Sequence, residues 1–184
     1  MSFLTDWLSR HVLDRRASRY LVAVKAEPAD ADVQWLADHT GGDVDHARWE
    51  LRYARRALGL VAAQRDALDD HTGSAVARAM TSLLASDPQV DPSKRHIAER
   101  QFNTRLRTYR EIIVQRDPRE PTGARLGRAL LAFAGEMAAP DDVARGGDIL
   151  AGYLDTANEA LRREFGTASL PENIPPSELV ARER

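Results

Sequence analysis

Nine prolines, at positions 28, 88, 92, 118, 121, 140, 171, 175 and 176, do most to limit what this chain can become. A proline inside a helix removes a backbone hydrogen bond and clashes with the preceding turn, so helices must fit between prolines. None of the nine falls inside a segment with helical apolar periodicity. Phe3, Leu4, Trp7, Leu8 and Val12 share one helical face, which predicts a first helix over about 2–26. Tyr20-Leu-Val-Ala-Val24 has strand propensity, but no second strand candidate exists to pair with it, so it is read as helix.

Further helices are expected at about 30–39, 43–70, 72–85, 92–116, 122–136 and 141–165, the last ended by Gly166. The longest shows a buried seam of Ala47, Leu51, Ala54, Leu58, Val61 and Leu68 at spacings of three and four, with Arg65 as its one break. The expected fold is therefore all-α: a helical bundle with a four-helix core over about 43–137, flanked by the helices at 2–26 and 141–165. Residues 1–166 are read as one helical domain and 167–184 as a proline-containing C-terminal tail.

Thr72-Gly-Ser-Ala-Val-Ala-Arg-Ala-Met80 matches Thr122-Gly-Ala-Arg-Leu-Gly-Arg-Ala-Leu130 at an offset of 50. An offset of 51 aligns Gln64-Arg-Asp66 with Gln115-Arg-Asp117, Leu51 with Phe102 and Leu58 with Tyr109. Duplication would give two αα-hairpins about a pseudo-twofold axis; resemblance among Ala/Arg-rich amphipathic helices would give the same match without it. Asp38-His-Thr-Gly41 also recurs as Asp70-His-Thr-Gly73, and in both the threonine is read as the N-cap of the following helix.

Composition narrows the chemistry. There is no cysteine, which excludes disulfides, thiolate metal sites and a cysteine nucleophile. The net charge of −2 does not mark a globally basic nucleic-acid binder. No apolar run reaches the length of a transmembrane span, and no signal-peptide pattern is seen, so a cytoplasmic location is expected. Glycine-rich phosphate loops, Gly-x-Ser-x-Gly and His-Glu-x-x-His are all absent. Gly123-x-x-x-Gly127 and Gly146-Gly147 lie in helical segments and are read as close helix packing.

Four groups of residues bear on function. Asp43, His46 and Glu50 fall on one helix face and are of metal-ligand type; with no Glu-x-x-His in the chain, an acidic first turn with a local His46–Glu50 contact is the alternative. The helices around 46–66 and 93–117 carry net charges of +3 and +4. Arg105, Arg107 and Arg110 are the candidate phosphate contacts, against internal pairing with the acids of 141–164. Asp66, Asp69, Asp70 and His71 form a polar cluster, read as a solvated turn. Phe3, Leu4, Trp7 and Leu8 form an apolar edge beside Arg10, Arg15, Arg16 and Arg19, suited to a partner's groove or an anionic membrane, or to docking on the chain's own core.

The expected function is a non-enzymatic protein–protein interaction module that self-associates as a homodimer. The alternatives are a ligand- or metal-binding enzyme using Asp43, His46 and Glu50, and nucleic-acid binding through the basic helices. No catalytic residue and no cofactor is assigned.

Overall fold

A computed structural model describes residues 3–67, 69–115, 117–135 and 139–166, with side chains from residue 10 onward. The described residues form seven α-helices and no strand: α1 (Phe3–Val24), α2 (Asp30–Asp38), α3 (Val44–Asp66), α4 (Asp70–Ala85), α5 (Arg95–Val114), α6 (Thr122–Ala134) and α7 (Pro140–Phe165). The protein is an all-α helical bundle. Tyr20–Val24 is helical, and the Tyr20 phenol donates to the Gly59 carbonyl at 2.7 Å from a buried position. Among the described residues no helix is long and apolar enough to cross a membrane.

The breaks follow backbone chemistry. Pro28 ends the turn after α1, and Pro88, Pro118 and Pro121 lie between helices. Pro92 opens a short 3-10 turn ahead of α5, and Pro140 opens α7, where its missing N–H costs nothing. Gly166 ends α7 with φ +90°. The caps differ from expectation. Asp43 caps α3 by accepting from the His46 N–H at 2.9 Å, and Asp69 caps α4 by accepting from the Thr72 N–H at 2.6 Å. Thr40 instead donates its hydroxyl to the Ala37 and Asp43 carbonyls, while Thr72 is buried inside α4. A carboxylate outcompetes a hydroxyl as a helix cap because it also meets the positive end of the dipole. α3 ends at Asp66, earlier than expected, and Leu68 of the expected seam lies outside the described residues.

α3 is the hub. It packs against α7, α5, α2, α4, α6 and, lightly, α1. Fourteen of its 23 residues are buried, so it is enclosed on nearly every side rather than along one seam. Leu51 and Leu58 are fully buried. α7, expected as a flanking helix, packs across α6, α3 and α1 and brings Leu150, Tyr153, Ala157 and Leu161 into the core.

The pairs aligned by the internal match have similar burial: Leu51 with Phe102, Leu58 with Tyr109, Val76 with Leu126 and Met80 with Leu130. Their surroundings differ, because α5 buries only Phe102, Arg105, Tyr109 and Ile112 among its described residues.

α6 and α7 meet through their backbones. A methyl group built on Gly127 would lie 2.0 Å from the Val143 carbonyl oxygen, and one on Gly147 would lie 2.5 Å from that of Gly123. Only glycine permits this approach at either position, as the Gly-x-x-x-Gly spacing suggested.

Candidate functional site

The polar residues of the bundle converge around α3. Glu50 is 3% exposed, and the Arg105 guanidinium grips it with two bonds, Nε to Oε2 at 2.9 Å and Nη2 to Oε1. Arg105 also lies over the rings of Phe133 and Tyr53, at 4.5 and 5.6 Å from their centroids, and donates to the Gln101 carbonyl. His46, one turn before Glu50, places Nε2 3.3 Å from the same carboxylate. Tyr109 is fully buried beside this pair, and burial pushes its phenol well above its ordinary range. Burial also raises the Tyr53 phenol, against the opposing pull of Arg105.

Of the expected metal ligands, His46 and Glu50 come together but Asp43 is spent as the α3 cap. Among the described residues no three His, Asp or Glu side chains cluster to hold a metal ion. Both oxygens of Glu50 already face Arg105, which is the neutralisation a buried carboxylate requires.

The expected phosphate contacts also separate. Arg105 is 8% exposed and turned inward, so it cannot present itself to a nucleic-acid backbone. Arg107 and Arg110 are exposed, and Arg110 donates to Gln64. On α3, Arg52 holds Glu27 at 2.9 and 2.7 Å and also donates to Gln89, while Arg56 holds Asp87 at 2.8 Å. Arg55 lies over Tyr153, Arg48 pairs with Asp30 and Arg65 pairs with Asp66. The basic residues of α3 are therefore engaged within the fold. Their acidic partners come mainly from the connections before α2 and after α4, not from α7. On α7, Asp142 meets His39 and Glu164 meets Arg19.

The cluster at 66–71 is divided by the turn between α3 and α4. Asp69 and Asp70 sit at the start of α4, where the helix dipole favours them.

Phe3, Leu4, Trp7 and Leu8 lie on the backbone of α1, but their side chains fall outside the described residues. What can be placed is the face they occupy. At about 100° per residue, Leu4, Trp7 and Leu8 centre roughly 150° away from the face formed by Leu13, Ala17, Tyr20, Leu21 and Val24, whereas Phe3, five turns before Leu21, shares the register of that face. That second face is the one packed on the body: Ala17, Tyr20, Leu21 and Val24 are buried, and Leu13 packs against the core. Further along the first sector, His11, Arg15 and Ser18 are exposed, and Val22 is 59% exposed.

Two hollows flank Trp49 and Tyr53. One, of about 420 Å³, opens over His46, Glu50 and Arg105 and is also lined by Gln89, Lys94 and Gln101. The other, of about 480 Å³, runs between α4 and α5 with α3 as its floor. Trp49, Leu60, Met80, Leu84, Phe102 and Leu106 form its apolar walls, and Arg56 and Asp87 are its buried polar residues. Sequence reasoning missed this groove because its walls come from three helices, each of which reads as an ordinary amphipathic segment. No protein-family model, curated protein or solved structure matches this chain.

Proposed function

We propose that the protein is a non-enzymatic helical interaction module that binds a second copy of itself through the first turns of α1. The observation that carries this is angular. The sector of α1 holding Leu4, Trp7 and Leu8 continues into exposed residues, among them His11, Arg15 and Val22. The helix seats a different face, centred on Ala17, Tyr20 and Val24, against its own body. A straight helix cannot turn both faces toward one surface. Trp7, flanked in register by Leu4 and Leu8, is the residue type that concentrates binding energy at an interface, and a twofold dimer would use the same face twice. The non-enzymatic part of the proposal has separate support: Glu50, Asp87, Arg52, Arg56 and Arg105 are each committed to an internal pair.

Sedimentation velocity and thermal melting of the full chain and of a Trp7→Glu/Leu8→Glu variant test it. A dimer in the parent and a monomer with an unchanged melting transition in the variant are expected. A parent that is monomeric at every concentration, or a variant that melts markedly earlier, would assign the patch to the chain's own core and end the proposal.

A further inference from the structure

We propose that the groove between α3, α4 and α5 seats the first turns of α1 from a second copy, so that two chains exchange these turns; this rests on the dimer reading above and names the surface its helix meets. Five helices ring α3 in the order α4, α1, α7, α6 and α5, and each packs on α3 and on the next in the ring. α2 lies beside α7, where Trp35 meets Gly146. Packed helices stand about 8–10 Å apart, so helices of equal width leave room for about six around a central one. The ring is therefore one helix short, and its gap is the groove between α4 and α5.

The gap suits an apolar helix face. Met80 and Phe102 are buried along it, while Trp49, Leu84 and Leu106 are half-buried. Arg56 is neutralised by Asp87, and Arg95 and Glu99 balance each other at the mouth, as Asp6 and Arg10 do within residues 3–11. Apolar contact, not charge, therefore sets the occupant. Along α5 the groove runs from Arg95 to Leu106, about 17 Å at the helical rise per residue. Residues 3–11, the part of α1 ahead of its packed face, span about 14 Å on the same rise. Leu4, Trp7, Leu8 and His11 follow the i, i+3, i+4, i+7 pattern of a helix laid in a groove. The chain's own α1 cannot supply them, because it is packed along the opposite flank of α4, where Asp14 pairs with Arg78. A helix about 10 Å wide seated over that length buries roughly 300–400 Å² of itself and as much of the groove, and a twofold exchange brings the total to about 1,200–1,600 Å², the size of a stable interface.

Sedimentation of the full chain and of groove-filling variants tests it. Ala77→Trp and Ala98→Trp fill the groove from two different helices at half-buried positions. Each should weaken the dimer by at least about tenfold while circular dichroism stays unchanged. Either variant alone suffices if the other fails to fold. Mixing a groove variant with Trp7→Glu/Leu8→Glu should restore association, because a mixed dimer pairs one intact helix face with one intact groove. A folded groove variant that dimerises as tightly as the parent would overturn the inference and leave the dimer reading standing, with one α1 packed on the other. Mixtures that associate no more tightly than the separate variants would also overturn it. Loss of the dimer on deleting residues 167–184 would overturn it by assigning the groove to that segment. A monomeric parent would end the dimer reading and this inference together, and it is seen before any variant is made.

Discussion

The α6–α7 and α3–α5 interfaces solve the same problem in opposite ways. At the first, glycines at 123, 127 and 147 let two backbones touch, and no side chain stands between them. At the second, large side chains keep the helices apart, and an arginine sandwiched between aromatic rings reaches across to a buried glutamate. The first depends on what is missing from the sequence and the second on two particular charges. Backbone contact leaves nothing that can yield to an added atom. An ion pair can be replaced as a pair but cannot survive the loss of one partner.

The largest expected effect breaks the charged interface. Glu50→Leu leaves the Arg105 guanidinium buried without its counter-charge and should cost about 3–5 kcal/mol in a urea denaturation. The double variant Glu50→Leu/Arg105→Met should recover most of that loss. A double variant as unstable as the single one would show that the stacked arginine, not the pair, holds the interface.

At the glycine interface, Gly127→Ala should cost about 3 kcal/mol by forced separation of α6 and α7, and trimming a facing side chain should not rescue it, since the clash is with the Val143 carbonyl. Gly152→Ala is the control: it is exposed on α7 with open space around it and should stabilise the fold by about 0.4–1 kcal/mol. A neutral Gly127→Ala would show that the two backbones can part without penalty.

A charge at the surface marks the small end of the scale. Asp69→Ala removes the α4 cap and should cost about 1 kcal/mol. The Asp69 carboxyl is held below its ordinary value of 3.8, first by the Thr72 N–H that donates to it. Its contribution is therefore complete above that value and is lost as pH falls through the lower folded one. Asp69→Asn keeps a capping oxygen but cannot titrate. Its melting temperature should fall less than the parent's between about pH 4 and 2. Parallel acid limbs would remove Asp69 from the acid response.

Much of the helical framework was legible because proline, glycine and apolar spacing act locally. Pro140 and Gly166 bracket α7 as expected, and Leu51 and Leu58 are buried as their spacing required. The charged interior was harder to read. Glu27, Asp87 and Gln89 sit in connections, and only the packing of distant helices brings them to Arg52 and Arg56. One usable signal was present: Phe102, Arg105, Tyr109 and Ile112 follow spacings of three, four and three, which puts Arg105 on the apolar face of its own helix. Its charge alone suggests the surface; its phase places it inside. Glu50, next to Leu51 and three residues after Ala47, carries the same mark on α3. The groove left no such trace, because concavity is a property of three helices together.

The central position of α3 also has a meaning in time. Its last residue, Asp66, is polymerised 99 positions before Phe165 completes α7, the helix that covers much of it. At a synthesis rate of about 5–20 residues per second, that interval is roughly 5–20 s. Throughout it, Leu51, Leu58 and their neighbours on the nascent chain lack the surface that finally shields them from water. Holding the newborn polypeptide safe from aggregation thus falls to α2, α4, α5 and α6, the helices packed on α3 that the ribosome delivers before the last one.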